Sequence, residues 1–217
     1  MGASLFIFDL DGTLVDSTDD LALAVNLMRR EFGLSPLSRE TVAGYVGEGV
    51  RVLVDRALSD APHVDREAAL ALQRRHYAAH LTDHTRPYPG VREGLEALRA
   101  AGHVLAVATN KPMEMAERLL KGLRMWDSFA VVLGGGVLPH LKPHPAVVDE
   151  ILRRTGIGRD RAWMVGDHWT DLETARRAGL RSIFFRYGIG QQGEHRPDWV
   201  FDTFSDFVQH VLQEHLS

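Results

Sequence analysis

The sequence predicts an α/β fold: a parallel sheet covered by helices on both faces, with a small helical unit inserted after the first strand. Three observations predict it. A short apolar run, Ser4–Phe8, has the length and composition of a buried strand. From residue 91 onward, strand-like and helix-like segments alternate, as they do when parallel strands are joined by crossover helices. Between these regions, residues 17–83 carry helical patterns and no strand.

The elements follow in order. Asp16-Ser17-Thr18-Asp19-Asp20 is an acidic, cap-rich helix start. Leu21, Val25, Met28 and Phe32 continue it at helical spacing until Gly33 stops it. Thr41–Val46 and Val50–Leu58 read as short helices parted by Gly47-Glu48-Gly49, and Arg66–Leu81 as a longer one. Pro87-Tyr88-Pro89-Gly90 is a turn-rich joint. Then come helix Val91–Ala100, strand Val104–Ala108, helix Met113–Lys121, strand Ala130–Leu133 and helix Pro145–Arg154. Strand Ala162–Val165, helix Leu172–Ala178, strand Ser182–Phe185 and a closing helix, Phe204–Leu216, complete the chain. Boundaries near Asp16 and Arg86 divide it into a Rossmann-like core, 1–16 with 84–217, and a helical insert, 17–83.

Composition narrows the function. A chain of 217 residues, 45% hydrophobic and 25% charged, can bury a sizeable core. A net charge of −4 with scattered Lys and Arg offers no field for nucleic acid. The absence of cysteine excludes disulfides, thiolate metal sites and a Cys nucleophile. No basic start leads into a long apolar run, so neither a signal segment nor a membrane partner is expected, and the expected location is cytoplasmic.

In open parallel sheets, ligands sit beyond the carboxyl ends of the strands. Asp9 and Asp11 follow the first strand. Thr109, Asn110 and Lys111 follow Val104–Ala108, and Gly166, Asp167 and then Asp171 follow Ala162–Val165. Lys142-Pro143 precedes the helix at Pro145. Clustered Asp oxygens without soft ligands suit Mg²⁺. A lysine and a hydroxyl suit an anion rich in oxygens, and the whole set suits phosphoryl transfer. One Asp can attack phosphorus while its neighbour moves a proton. Taken singly, Thr109 also fits a helix cap, Lys142 a solvated loop lysine, and Asp167 with Asp171 a helix start.

With these motifs in order, the chain resembles the haloacid dehalogenase (HAD) superfamily of phosphatases, and within it the phosphoglycolate phosphatase group. Asp9-Leu10-Asp11-Gly12-Thr13-Leu14-Val15-Asp16-Ser17, Thr109-Asn110-Lys111, Lys142-Pro143 and Gly166-Asp167 through Asp171 match the superfamily's four signatures. The resemblance implies a HAD-like core with an α-helical cap at 17–83. It implies Asp9 as nucleophile and metal ligand, and Asp11 as acid/base that also lends its backbone carbonyl to the metal. Thr109 and Lys142 would bind phosphoryl oxygens with help from the backbone of Asn110. Asp167 would be a further ligand to Mg²⁺, and Asp171 would sit behind it or hold Lys142. Gly47, Glu48, Gly49 and Arg51 resemble the group's cap loop, with Arg51 placed to face a substrate carboxylate or to stay solvated. Where relatives often carry an acid after the glycine run 134–136, Gly136 and Val137 stand here.

The implied reaction is Mg²⁺-dependent hydrolysis of a small phosphorylated metabolite, 2-phosphoglycolate being the leading candidate, by a monomer or homodimer. A phosphomutase or pyrophosphatase of the same superfamily is the alternative within enzymes. A phospho-accepting signalling module is the alternative from another class, although an insert of this size has no place in one.

Overall fold

Side-chain alternation along the first strand sets up two apolar layers. The computed structural model describes residues 3–214, and in it β1 (Leu5–Phe8) is wholly buried. Successive strand residues point to opposite faces, so Phe6 and Phe8 join one core cluster and Leu5 and Ile7 another. After β1 come β2 (Val15–Asp16), α1 (Thr18–Glu31), α2 (Arg39–Ala43), α3 (Val50–Ala57), α4 (Arg66–Ala79) and β3 (Arg86–Pro87). Next are α5 (Val91–Ala100), β4 (Val104–Pro112), α6 (Met113–Gly122), β5 (Val131–Gly135) and α7 (Ala146–Thr155). The chain closes with β6 (Ala162–Gly166), α8 (Trp169–Ala178), β7 (Arg181–Phe185), β8 (Trp199–Phe201) and α9 (Phe204–Glu214).

The main sheet runs β5-β4-β1-β6-β7-β8, and each neighbouring pair is parallel. Phe6, Phe8, Trp163 and Phe185 pack one face against Leu95 and Leu98 of α5 and Phe204 and Phe207 of α9. Leu5, Ile7 and Met164 pack the other against Val148 and Ile151 of α7 and Ala175 of α8. β1 lies between β4 and β6, where the strand order reverses, so its carboxyl end opens into the crevice that this topology creates.

Helices α1–α4 bury a cluster of their own, including Val25, Met28, Val42, Leu53, Val54 and Leu70. The two segments joining them to the sheet pair as β2 and β3, antiparallel, with Asp16 opposite Arg86. Buried Asp20 accepts hydrogen bonds from Thr85 Oγ1 (2.6 Å), Thr85 N (2.8 Å) and His84 N (2.9 Å), tying the first turn of α1 to the returning segment.

The structure differs from the sequence expectation mainly at short elements. β2, β3 and β8 have two or three residues each, too few for alternation to register. β4 continues to Pro112 with a register shift after Ala108, so Thr109, Asn110 and Lys111 lie on its irregular end. The helix expected over Thr41–Val46 begins at Arg39, because Ser38 Oγ accepts from Thr41 N at 3.1 Å and caps it, and it ends at Ala43. α8 begins at Trp169, earlier than expected, with His168 as its cap. Leu216, the expected end of the closing helix, lies outside the described residues. No described helix is long and apolar enough to cross a membrane.

Candidate active site

Three strand ends and one loop converge beside β1. Asp9 follows β1 directly, Asp167 follows β6, and Thr109–Lys111 end β4. Lys142, in the loop before α7, reaches across: its Nζ lies 2.9 Å from Asp9 Oδ1 and 2.6 Å from Asp171 Oδ1, all three residues being buried. The ammonium is thus shared between the two carboxylates, with the shorter contact to Asp171. Asn110 acts through its side chain. Its Oδ1 accepts from Lys142 N (2.8 Å), and its Nδ2 donates to Lys142 O (3.0 Å) and to Gly47 O (2.9 Å), clamping the lysine loop to the helical insert.

Asp9, Asp167 and Asp171 can bring one carboxylate oxygen each within 4.8 Å of one another. Asp167 is held rigidly, accepting from Thr13 Oγ1 (2.7 Å), Gly190 N (2.9 Å) and Ile189 N (3.0 Å). The backbone crowds it as well: Gly12, at φ +87°, could carry a Cβ only 2.1 Å from Asp167 Oδ2, so glycine is required there. Burial, then the charges of Asp171 and Asp9, push the Asp167 carboxyl up to about 8. Burial raises Asp9 to about 6, with Lys142 pulling it down and Asp171 adding to the rise. Two buried carboxyls that resist ionisation, clustered with a third, form an all-oxygen site fitted to a hard cation. Lys142 is the one ammonium against Asp9 and Asp171, and Asp167 has no ion pair among the described residues, so the three carboxylates together exceed the positive charge beside them.

Asp11 stands apart from that cluster. Its carboxylate accepts from Lys111 Nζ (2.9 and 2.7 Å) and Ser17 Oγ (2.5 Å), and Lys111 Nζ also donates to Tyr77 Oη at 2.7 Å. Of the expected ligands Asp9, Asp11 and Asp167, the side chains of the first and third meet, while Asp171 takes the third place in the cluster and also holds Lys142 as expected. Burial would lower the Lys111 ammonium, but Asp11 and Tyr77 outweigh it and the net shift is upward. Lys111 and Tyr77 are the contributors that sequence reading missed. Lys111 was visible only as the third letter of its motif, and Tyr77 only as an unmarked residue of the helix read over Arg66–Leu81.

A cavity of about 60 Å³ lies between sheet and insert, lined by Asp9, Asp11, Thr109 and Lys111 on one side and by Gly47, Gly49, Gln73 and Tyr77 on the other. Gly47 has φ +116°, and a Cβ there would sit 2.8 Å from the His168 ring, so this loop can approach only as glycine. Glu48 does not line the cavity and pairs with Arg56 at 2.5 Å. Arg51 is exposed and pairs with Glu67 at 2.5 Å, away from the cavity. Arg51→Ala should therefore leave kcat/KM for the best substrate unchanged, and a clear rise in KM would restore Arg51 to the site. His140 and His144 stack on each other with ring centroids 4.2 Å apart and do not join the acidic cluster.

The haloacid dehalogenase-like hydrolase pattern matches residues 6–185, and the chain belongs to that family. It is 42% identical to a phosphoglycolate phosphatase of Chromobacterium violaceum over 206 residues, covering 92% of each protein. It is 36% identical to the phosphoglycolate phosphatase of Colwellia psychrerythraea over 214 residues, covering 94% of this chain and 95% of that one. The crystal structure of a predicted phosphoglycolate phosphatase from Haemophilus somnus superposes with a TM-score of 0.91 at 34% identity, covering 95% of this chain and 97% of the other. This kinship places the chain among the family's phosphatases.

Proposed function

We infer that the protein hydrolyses a small phosphate monoester through a phosphorylated Asp9, with Mg²⁺ as cofactor and 2-phosphoglycolate as leading substrate. One observation carries the reading: the buried Asp9 carboxylate lies 2.9 Å from the Lys142 ammonium and in one cavity with Asp11 and Thr109. Asp9 attacks phosphorus; the new Oδ–P bond forms as the ester P–O bond breaks, and Asp11 gives a proton to the departing oxygen. Water then attacks the same phosphorus, yields a proton to Asp11, and releases phosphate and free Asp9. Lys142 and the Thr109 hydroxyl face the phosphoryl oxygens. Asp9 and Asp167 would hold the Mg²⁺, which supplies positive charge against repulsion between nucleophile and ester. Substrate preference is brought over from the names of the relatives above. The helical insert, residues 17–83, is read as the cap that closes over the cavity and excludes water.

A panel of phosphoglycolate, other acid and sugar phosphates, pyrophosphate and a chromogenic ester, each with Mg²⁺ and with EDTA, tests this. Phosphate release from phosphoglycolate that EDTA abolishes is expected. Isomerised product without free phosphate would instead indicate a mutase.

The acidic cluster also predicts a pH dependence. Asp167 has a folded-state value of about 8 against an ordinary 3.8, so between these values the folded chain binds more protons than the unfolded one. Stability of the metal-free protein then falls as pH rises through that window. Its melting temperature should drop from pH 5 to pH 8, and Mg²⁺ should restore it most at pH 8, through binding to the folded state alone. A metal-free melting temperature that rises over this range would count against the assignment.

A further inference from the structure

Two cations line the cavity, and they are not alike. Lys111 is committed, since its Nζ donates to Asp11 and to Tyr77. Arg74, on α4, is exposed as well as lining the cavity, which places it at the mouth. It has no hydrogen bond or ion pair among the described residues. Glu67, an acid whose charge reaches it, stands seven residues back along the helix, about 10 Å away, and is paired with Arg51. Beside Arg74, Gln73 is buried, and neither its Oε1 nor its Nε2 has a hydrogen-bond partner. A buried amide left unpaired is unfavourable, and at a cavity wall a ligand can relieve it by supplying the partner.

The two side chains ask for the same kind of partner. A guanidinium offers only donors, and the amide Nε2 offers donors as well. A carboxylate answers both, with one oxygen for each. Gln73 Oε1 then accepts from water that also donates to the carboxylate. Position suits this. Tyr77 reaches Asp11, the proton donor of the reading above, through Lys111 alone, at 2.7 Å on each side. Gln73 sits one helical turn from Tyr77, about 5–6 Å away. That is the span of a carboxylate two bonds beyond the ester oxygen together with one hydrogen bond. The cavity, of about 60 Å³, has room for about four to six waters, which suits a two-carbon acid better than a sugar.

We propose that Arg74 is a specificity-determining residue: with the Gln73 amide it binds a carboxylate on the leaving group, so the site selects phosphate esters of small hydroxy acids over neutral esters of the same size. The inference rests on the phosphatase reading above and names the residues that define its substrate class. Arg51, the cation that the sequence puts forward for this carboxylate, is engaged with Glu67 instead. A cation at the mouth also offsets the charge of Asp9 and Asp11, which a second anionic group on the ester would otherwise meet. The bound ester shields the contact from water, so it is worth more than an open surface ion pair.

The test measures kcat/KM, with Mg²⁺, for 2-phosphoglycolate, ethyl phosphate and phosphoethanolamine, whose leaving groups end in a carboxylate, a methyl and an ammonium. The wild-type protein should favour phosphoglycolate over ethyl phosphate. Arg74→Leu should lower that ratio by about tenfold or more, and Gln73→Leu should lower it by less. Arg74→Lys keeps the charge without the fork and should retain part of the preference. Arg74→Glu should reverse the order of phosphoglycolate and phosphoethanolamine. Arg74 is exposed, so the melting temperatures of its variants should stay close to that of the wild type. No preference in the wild-type protein, or an unchanged ratio in Arg74→Leu, would overturn the inference. An equal loss for all three esters across the variants would overturn it too, because it marks a structural role. In each of these cases phosphate is still released and the phosphatase reading stands. No phosphate from any of the esters, with Mg²⁺ present, would overturn both.

Discussion

Asp9→Asn abolishes turnover, by at least about 10⁴-fold, and leaves the fold intact. The amide has the shape of the carboxylate but is no nucleophile, and removing one member of a catalytic unit costs nearly all of its contribution. The fold survives for a specific reason. Lys142 keeps its hydrogen bond to Asp171, so no cation is stranded when Asp9 loses its charge. Burial and Asp171 already push the Asp9 carboxyl up to about 6, so a neutral side chain also relieves repulsion. The melting temperature of the metal-free variant should match or exceed that of the wild type. Two measurements check this: phosphate release under saturating substrate, and mass spectrometry after acid quench, in which the wild-type chain gains one phosphoryl group and the variant none. Turnover within tenfold of wild type would remove Asp9 as nucleophile.

The sequence made the core legible because its chemistry lies at strand ends. An apolar run marks each strand, and the first polar residues after it mark the site, so Asp9, Thr109 and Asp167 could be placed from spacing alone. Lys142 lies on a loop, and only its motif, not its surroundings, pointed to it. What the sequence could not show depends on which way side chains turn. Asp9 and Asp11 are two residues apart, yet one faces Lys142 and the other Lys111, because the chain leaves β1 after Phe8 and bends at Leu10 between them. Arg51 and Glu48 sit in the expected loop and helix start, but each has a closer acid or base within the insert, Glu67 or Arg56, and turns to it. Gln73 and Tyr77 fall inside the helix read over Arg66–Leu81, with nothing to mark them out. Only the docking of α4 over β4 shows that this face covers a cavity.

Asp11→Asn should slow turnover of alkyl esters by roughly 10²–10⁴-fold, the usual worth of a positioned proton donor. The structure allows a sharper form of this prediction. If Asp11 protonates the leaving oxygen and later deprotonates the attacking water, the two steps respond differently to the leaving group. An aryl ester such as p-nitrophenyl phosphate departs without a proton, so its first step recovers in Asp11→Asn. The second step stays slow because its water still lacks a base. The variant should then give a burst of one nitrophenol per active site, followed by a slow steady state, with phosphorylated chain accumulating. Lys111→Met separates chemistry from positioning. It leaves the Asp11 carboxylate in place but removes the two hydrogen bonds that aim it and its link to Tyr77. That variant leaves the partly buried Asp11 carboxylate without its cation, so it should melt lower than wild type. It should slow aryl and alkyl esters alike, without a burst. A burst in Lys111→Met, or none in Asp11→Asn, would transfer the proton role from Asp11 to the lysine.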